Sequence, residues 1–244
     1  MPRRRKNAMN MIRLLSLAIL LATLVPLLPA QTQADAAALL DAVRAQYDRV
    51  NNYKARIHAV IDMTGLSVPP MDAVMYFKKP DRIQIESDGF AMLPRDAVGF
   101  HPAMFKTDEY DMVVQGTETI GGVPCSKVKL LARSDTLRLQ RAMVYVDARR
   151  ALILRMDFDP GAGASATADF TYTRIDGKYW LPSRIDVKMD SPMRGRRPGQ
   201  SKKPDGSNPE KANIRMTYTD YVVNRSIPDS VFDKDASASK RGKK

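Results

Sequence analysis

From Asp35 to Val50 the apolar residues Ala36, Leu39, Leu40, Val43 and Tyr47 recur at spacings of three and four, which places them on one face of an amphipathic helix. Asn51-Asn52 ends it, and the period then changes to two. In Tyr53 to Met63 the residues Ala55, Ile57, Ala59, Ile61 and Met63 alternate with Lys54, Arg56, His58 and Asp62, the pattern of a half-buried strand. Met71 to Lys79 and Arg82 to Ser87 repeat it around a Lys79-Pro80-Asp81 turn, since proline cannot continue a central ladder. Further strands are predicted at 111–115, 123–131, 141–147, 152–158, 166–175, 179–190 and 212–223. They are separated by turns at Ile120-Gly121-Gly122, Asp147 to Arg150 and Asp176-Gly177. Asp-Gly between β-rich runs is a strong hairpin signal, because both central residues adopt positive φ. The pattern therefore predicts a mainly β chain with few helices (α+β): about ten consecutive antiparallel strands following one helix. Pro69-Pro70 and Pro94 mark loops, and Phe90 to Tyr110 carries irregular or helical content that could cover one face of the sheet.

Two stretches break the pattern. Arg3, Arg4, Arg5, Lys6 and Arg13 precede an almost wholly apolar run from Leu14 to Leu28, and Thr32-Gln33-Ala34 supplies small residues where a signal peptidase cuts. The run is about fifteen residues and contains Pro26, whereas a spanning helix needs roughly twenty. A cleaved secretory signal over 1–34 is the reading; a retained N-terminal inner-membrane anchor is the alternative. The paired arginines lack the apolar residues of a twin-arginine signal, and no cysteine near the cut allows lipidation. Ser191 to Glu210, with four prolines, three glycines and five basic residues, has too little apolar area to offset ordering and reads as a long mobile loop.

Removing the signal's five basic residues lowers the formal charge from +12 to +7. Much of the excess lies in Arg194 to Lys203 and in Lys240-Arg241-Gly242-Lys243-Lys244, which are solvated runs or contacts for an anionic membrane. Nucleic acid is a poor partner for an exported chain. Cys125 is the single cysteine, so no intramolecular disulfide forms.

Each strand's own alternation selects an inward set: Ile57, Ile61, Met75, Phe77, Ile83, Ile85, Val144, Leu154, Met156, Phe158, Phe170, Ile185, Val187, Met189, Ile214 and Met216, with Trp180 as a doubtful member. So large an apolar face, with so few helices to cover it, must close on itself or curl around something. Side chains fill it, or it holds a ligand cavity; the residues leave both open. Catalytic chemistry is sparse. His58 and His101 lie in no metal-binding pattern, Cys125 has no CxxC partner, and no GxSxG elbow or phosphate-binding glycine loop occurs. Asp108 and Glu109 are adjacent acids in a loop, where solvation is the default. No cofactor or metal is expected, and no enzyme activity.

Tyr76-Phe77-Lys78-Lys79-Pro80-Asp81-Arg82-Ile83-Gln84-Ile85-Glu86 resembles the strand, Lys-Pro-Asp-Arg, strand hairpin of periplasmic lipoprotein-carrier proteins of the LolA/LolB type. The order of signal, helix and Tyr-x-Ala-x-Ile strand is similar, as are Gly116 to Cys125, Tyr145-Val146-Asp147, Asp176 to Pro182 and Tyr218 to Asn224 followed by Ile227 to Phe232. The resemblance implies a strongly curved antiparallel sheet of about ten or eleven strands, an incomplete β-barrel capped by helices, whose concave apolar face receives acyl chains. The fold is similar to that of mycobacterial lipid-binding lipoproteins and of sensor domains of anti-sigma-factor regulators, and fold alone does not choose among these roles. The basic loop and tail depart from the founding carrier. The expected organisation is a signal over 1–34, one domain over 35–235 with the basic loop 191–210, and a basic tail over 236–244. The expected function is non-catalytic periplasmic binding or carriage of lipid or lipoprotein acyl chains, with a membrane-bound donor or acceptor as partner. An envelope-stress sensor, or a ligand-free scaffold domain, is the alternative.

Overall fold

The structure is a computed structural model that describes residues 33–63, 66–87, 108–137, 139–161, 164–190 and 211–233. Helix α1 spans Gln33–Tyr47, and the strands are β1 (Asn52–Met63), β2 (Leu66–Ser67), β3 (Met71–Lys78), β4 (Arg82–Glu86), β5 (Tyr110–Ile120), β6 (Val123–Ala132), β7 (Arg141–Asp147), β8 (Leu152–Gly161), β9 (Ala164–Ile175), β10 (Tyr179–Asp190) and β11 (Lys211–Val223). The alternation located the long strands to within three residues, except β5, whose last five residues, Gly116 to Ile120, it left out. It missed β2, whose two residues pair with Asp62 and Met63 and are too few to show a period. Residues 1–32 of the signal, the 90–107 cover, His101, the 191–210 loop and the 236–244 tail lie outside the described residues, while Gln33 and Ala34 open α1.

The sheet is antiparallel, in the order β4-β3-β1-β11-β10-β9-β8-β7-β6-β5, with β2 beside β1. It is therefore a meander in which the last strand pairs with the first. The break falls between β4 and β5, which are consecutive in the chain but form the two edges. Irregularities interrupt the ladders between Lys54 and Arg56, Pro182 and Arg184, Val114 and Thr117, Tyr145 and Val146, and Phe158 and Gly161. Each such bulge bends its strand and increases the local twist, which curls the sheet into an incomplete barrel.

Cross-strand partners share a face, so the register draws continuous rows across the sheet. One runs Ile61, Ile214, Val187, Ala168, Met156, Val144, Val128, Val114 through eight strands. The next runs Met63, Ala212, Met189, Ala166, Phe158, Ala142, Leu130, Met112. Helix α1 lays Ala36, Leu40, Val43 and Tyr47, all buried, against this same core. The opposite face is a charge ladder: Arg215 Nε donates to Asp186 at 2.6 Å, Arg155 Nε to Asp169 at 2.6 Å, and Tyr145 OH and Thr167 Oγ1 to the two oxygens of Asp157 at 2.9 and 2.8 Å. Partly solvated pairs such as Arg215–Asp186 contribute little stability singly. What they do is place polar groups on the outer face near the wide end and so tell the two faces apart there.

Candidate binding face and its two ends

Strand order divides the connections into two groups. The α1–β1 junction, the turns at 79–81, 121–122, 148–151 and 176–178, and the exit of β11 all lie at one end. The opposite strand ends, including Met63, Met71, Glu86, Ala132, Arg141, Asp190 and Lys211, lie at the other, termed the wide end. At the turn end, Gly121 and Gly122 have φ of 55° and 83°, and Asp176 and Gly177 have 50° and 62°, as the hairpin reading requires.

The turn end is closed by aromatic side chains. Tyr53 stacks on Phe77 with centroids 5.2 Å apart and meets Tyr221 edge-on at 5.6 Å. Tyr221 OH donates to Pro182 O at 2.7 Å, and Tyr172 OH donates to Ile153 O at 2.7 Å while Tyr47 OH reaches Tyr172 OH at 3.4 Å. Burial raises the pKa of Tyr47, Tyr53, Tyr172, Tyr218 and Tyr221, because the phenolate would be desolvated. Asn224, at φ 53°, accepts from Asn51 N at 2.7 Å and donates to Arg49 O and Tyr179 OH, both at 3.1 Å, tying the β11 exit to the α1–β1 junction.

The inward set divides by depth. Ile57, Ile61, Met75, Val144, Met156, Phe170, Ile185, Val187, Ile214 and Met216 are buried in the main core; Val144 and Met216 are 0 % exposed. Phe77 is buried against Tyr53. Ile83 and Ile85, on edge strand β4, and Phe158 and Met189, in the row nearest the wide end, are only partly buried against that core. These four, with Met63, are the inner-face residues that a ligand could reach.

One placement is corrected. Leu154 was expected inward with Met156 and Phe158, but Val146 pairs with Ile153 while Val144 pairs with Met156. The bulge puts an extra residue in β8, so Ile153 joins the core and Leu154 falls in a second cluster with Cys125, Tyr145 and Leu152. Trp180 packs against that second cluster at the turn end, with the guanidinium groups of Arg150 and Arg174 5.9 and 5.8 Å from its ring centre. It does not line the inner face. The inward set also omitted Val128, Leu130, Met112 and the alanines Ala142, Ala166, Ala168 and Ala212. Alanine adds little to a hydrophobic period, and β6 alternates cleanly only once its register with β7 is known.

Two open recesses, of about 280 and 340 Å³, lie side by side near the wide end and share Ser165, Ala166 and Thr167. Most of their lining is outward by alternation, including Lys188, Asp190 and Asn213 in one and Lys129, Met143 and Asp157 in the other. Among the described residues no group of three or more His, Cys, Asp or Glu could hold a metal, and no helix is long and apolar enough to cross a membrane. His58 pairs with Asp72 at 2.8 Å on the exposed face. The Cys125 thiol is buried and its pKa pushed up by desolvation.

No family model and no curated protein matches the sequence. Solved structures do match the architecture. A proposed outer-membrane lipoprotein-sorting protein domain from Vibrio parahaemolyticus superposes with TM-score 0.61 at 10 % identity, covering 84 % of this chain and 99 % of that one. The chain has the fold of that domain. A DUF1329 family protein from Desulfovibrio piger gives TM-score 0.58 at 16 % identity, over 82 % of this chain and 98 % of that one. A LolA superfamily protein from Nitrosomonas europaea aligns over 82 % of this chain at TM-score 0.49 and 11 % identity. The incomplete antiparallel barrel expected from the Lys-Pro-Asp-Arg hairpin and its companions is thus the fold observed, and it is shared with the Vibrio domain and the Desulfovibrio protein.

Proposed function

We propose that this protein is a non-catalytic, extracytoplasmic binder or carrier of lipid or lipoprotein acyl chains. The observation that carries the reading is the inner face itself: two unbroken apolar rows across eight strands, in a sheet whose edges β4 and β5 do not pair, with Ile83, Ile85, Phe158, Met189 and Met63 left partly accessible. Partly accessible apolar side chains on an inner face offer a surface that an apolar ligand can cover. Removing an acyl chain from water contributes about 0.8 kcal/mol per methylene, so a partly enclosed chain is held without any polar contact. The fold of a lipoprotein-sorting domain supports the same class of ligand.

In this reading residues 1–34 are a cleaved signal, the domain covers 35–235 with the basic loop 191–210, and the protein works in the periplasm with a membrane-bound donor or acceptor. Native mass spectrometry of protein purified from the extracytoplasmic fraction tests it. Bound lipid or acylated peptide, displaced by a fluorescent fatty-acyl probe, is the expected result. Protein that carries no lipid and takes up no probe would overturn the proposal in favour of a filled scaffold domain.

A further inference from the structure

The turn end carries a surface that acyl-chain binding does not use. Its charged residues fall into two groups. Lys78 and Arg82 bind Asp229 at 2.8 Å each, Lys79 faces Asp48 at 3.6 Å, and Arg150 Nε donates to the buried Asp147. Those cations are compensated. Arg49, Arg149, Arg174, Lys178 and Arg225 are exposed and make no ion pair among the described residues; of the acids at this end Asp81 and Asp176 likewise make none, while Asp220 and Glu118 are paired with Arg56 and Lys127. The topology gathers these cations from four separate connections, so their proximity is a property of the fold rather than of any run in the sequence.

Two further observations point the same way. Trp180 is half-buried here, roofed by Arg150 and Arg174 and flanked by the partly buried Ile120 and Val123 beside the Gly121-Gly122 turn. A tryptophan with guanidinium groups over its ring is suited to the headgroup layer, where the indole meets acyl carbons and the cations meet phosphate. The chain also leaves the described structure at this end: Asp233 lies 3.5 Å from Arg82 at the start of β4, and Phe232 packs under the Arg82 guanidinium at 4.7 Å. The sequence that continues from there ends in Lys240-Arg241-Gly242-Lys243-Lys244.

We propose that the turn end, centred on Arg149, Arg174, Lys178 and Trp180, docks on an anionic phospholipid surface. Docking in this direction leaves the wide end of the inner face pointing away from the bilayer, towards a soluble or opposite partner. The proposal stands on charge and topology at the turn end and does not depend on what the inner face binds.

Trp180 is the single tryptophan, so its emission reports the contact directly. The exported chain is sedimented with vesicles of phosphatidylcholine alone or mixed with phosphatidylglycerol, each with and without brominated phosphatidylcholine. Binding to the phosphatidylglycerol vesicles only, its loss at high salt, and quenching of Trp180 by brominated lipid are expected. At about fivefold per juxtamembrane cation, the Arg149→Gln/Arg174→Gln/Lys178→Gln variant should partition about a hundredfold more weakly. Its melting temperature and acyl-probe binding should be unchanged, and Arg49→Gln/Arg225→Gln provides a second variant should the first misfold. Substituting glutamine for Lys240, Arg241, Lys243 and Lys244 should weaken binding but leave the bound fraction quenched. Binding without quenching, binding indifferent to phosphatidylglycerol, or a triple variant that partitions like the wild type would each overturn the proposal.

Discussion

Met216 and Met189 lie on the same face of neighbouring strands, yet they should answer truncation differently. Met216 is 0 % exposed, placed opposite Ala59 on one side and Ile185 on the other, and its sulfur lies 3.7 Å from Tyr218 OH. Met216→Ala leaves a cavity that a strand bonded on both sides cannot collapse to fill, at a cost of about 2–5 kcal/mol. With about 2–4 °C lost per kcal/mol in a domain of this size, the melting temperature should fall by roughly 4–20 °C. Met189 faces Ala166 and Ala212 near the wide end and is only partly buried. Its truncation removes less buried area, so about 1 kcal/mol and a few degrees are expected. If acyl chain lies against Met189, losing contact with one or two methylenes should weaken probe binding by about 1–2 kcal/mol, some fivefold to thirtyfold. Thermal unfolding followed by circular dichroism and titration with a fluorescent acyl probe make the comparison. Should Met189→Ala unfold as readily as Met216→Ala and leave probe affinity untouched, the wide end is packed core and the reasoning fails.

Other outcomes follow from particular contacts. Phe158→Asp and Ile85→Asp, at partly exposed inner positions, should keep the fold and lose probe binding, whereas Val144→Asp should unfold the protein, because an unpaired buried charge costs more than a domain's whole stability. Leu154→Ala should lower stability without affecting the probe, since the bulge places it in the second cluster; an affinity loss comparable to that of Phe158→Asp would refute the placement. The five buried tyrosines have folded pKa values above their unfolded ones, so the stability they contribute is complete below about pH 10 and is lost as pH rises beyond it. Their phenolate absorbance should appear together with unfolding and not before. The Lys78 hydrogen bond holds Asp229 below the ordinary aspartate value, so docking of the 228–233 turn is complete above the unfolded pKa and weakens as pH falls through the depressed one. Protection of the Phe232 amide from hydrogen exchange, relative to its intrinsic rate, should fall only in that acid range, since its N–H donates to Asp229 O at 2.9 Å.

The alternation of Ala55, Ile57, Ala59 and Ile61 with Lys54, Arg56, His58 and Asp62 was enough to place β1 and its buried face, because side chains on a strand point to opposite sides by covalent geometry. Asp176-Gly177 and Gly121-Gly122 located two hairpins for an equally local reason, the positive φ that those residues tolerate. The mainly β class, the helix over Ala36 to Tyr47 and most of the inward set followed from such short-range rules. What lay beyond them depended on partners far away in the chain. That β11 returns to pair with β1, leaving β4 and β5 as edges, is decided by complementarity among rows such as Ile61, Ile214 and Val187, which no single strand reveals. The reversal of Ile153 and Leu154 arises from a bulge, an unpaired residue that exists only relative to the neighbouring strand. The depth that separates Met216 from Met189, and the gathering of Arg49, Arg149, Arg174 and Lys178 at one end, belong likewise to the assembled sheet, because burial and proximity are properties of what surrounds a residue and not of the residue itself.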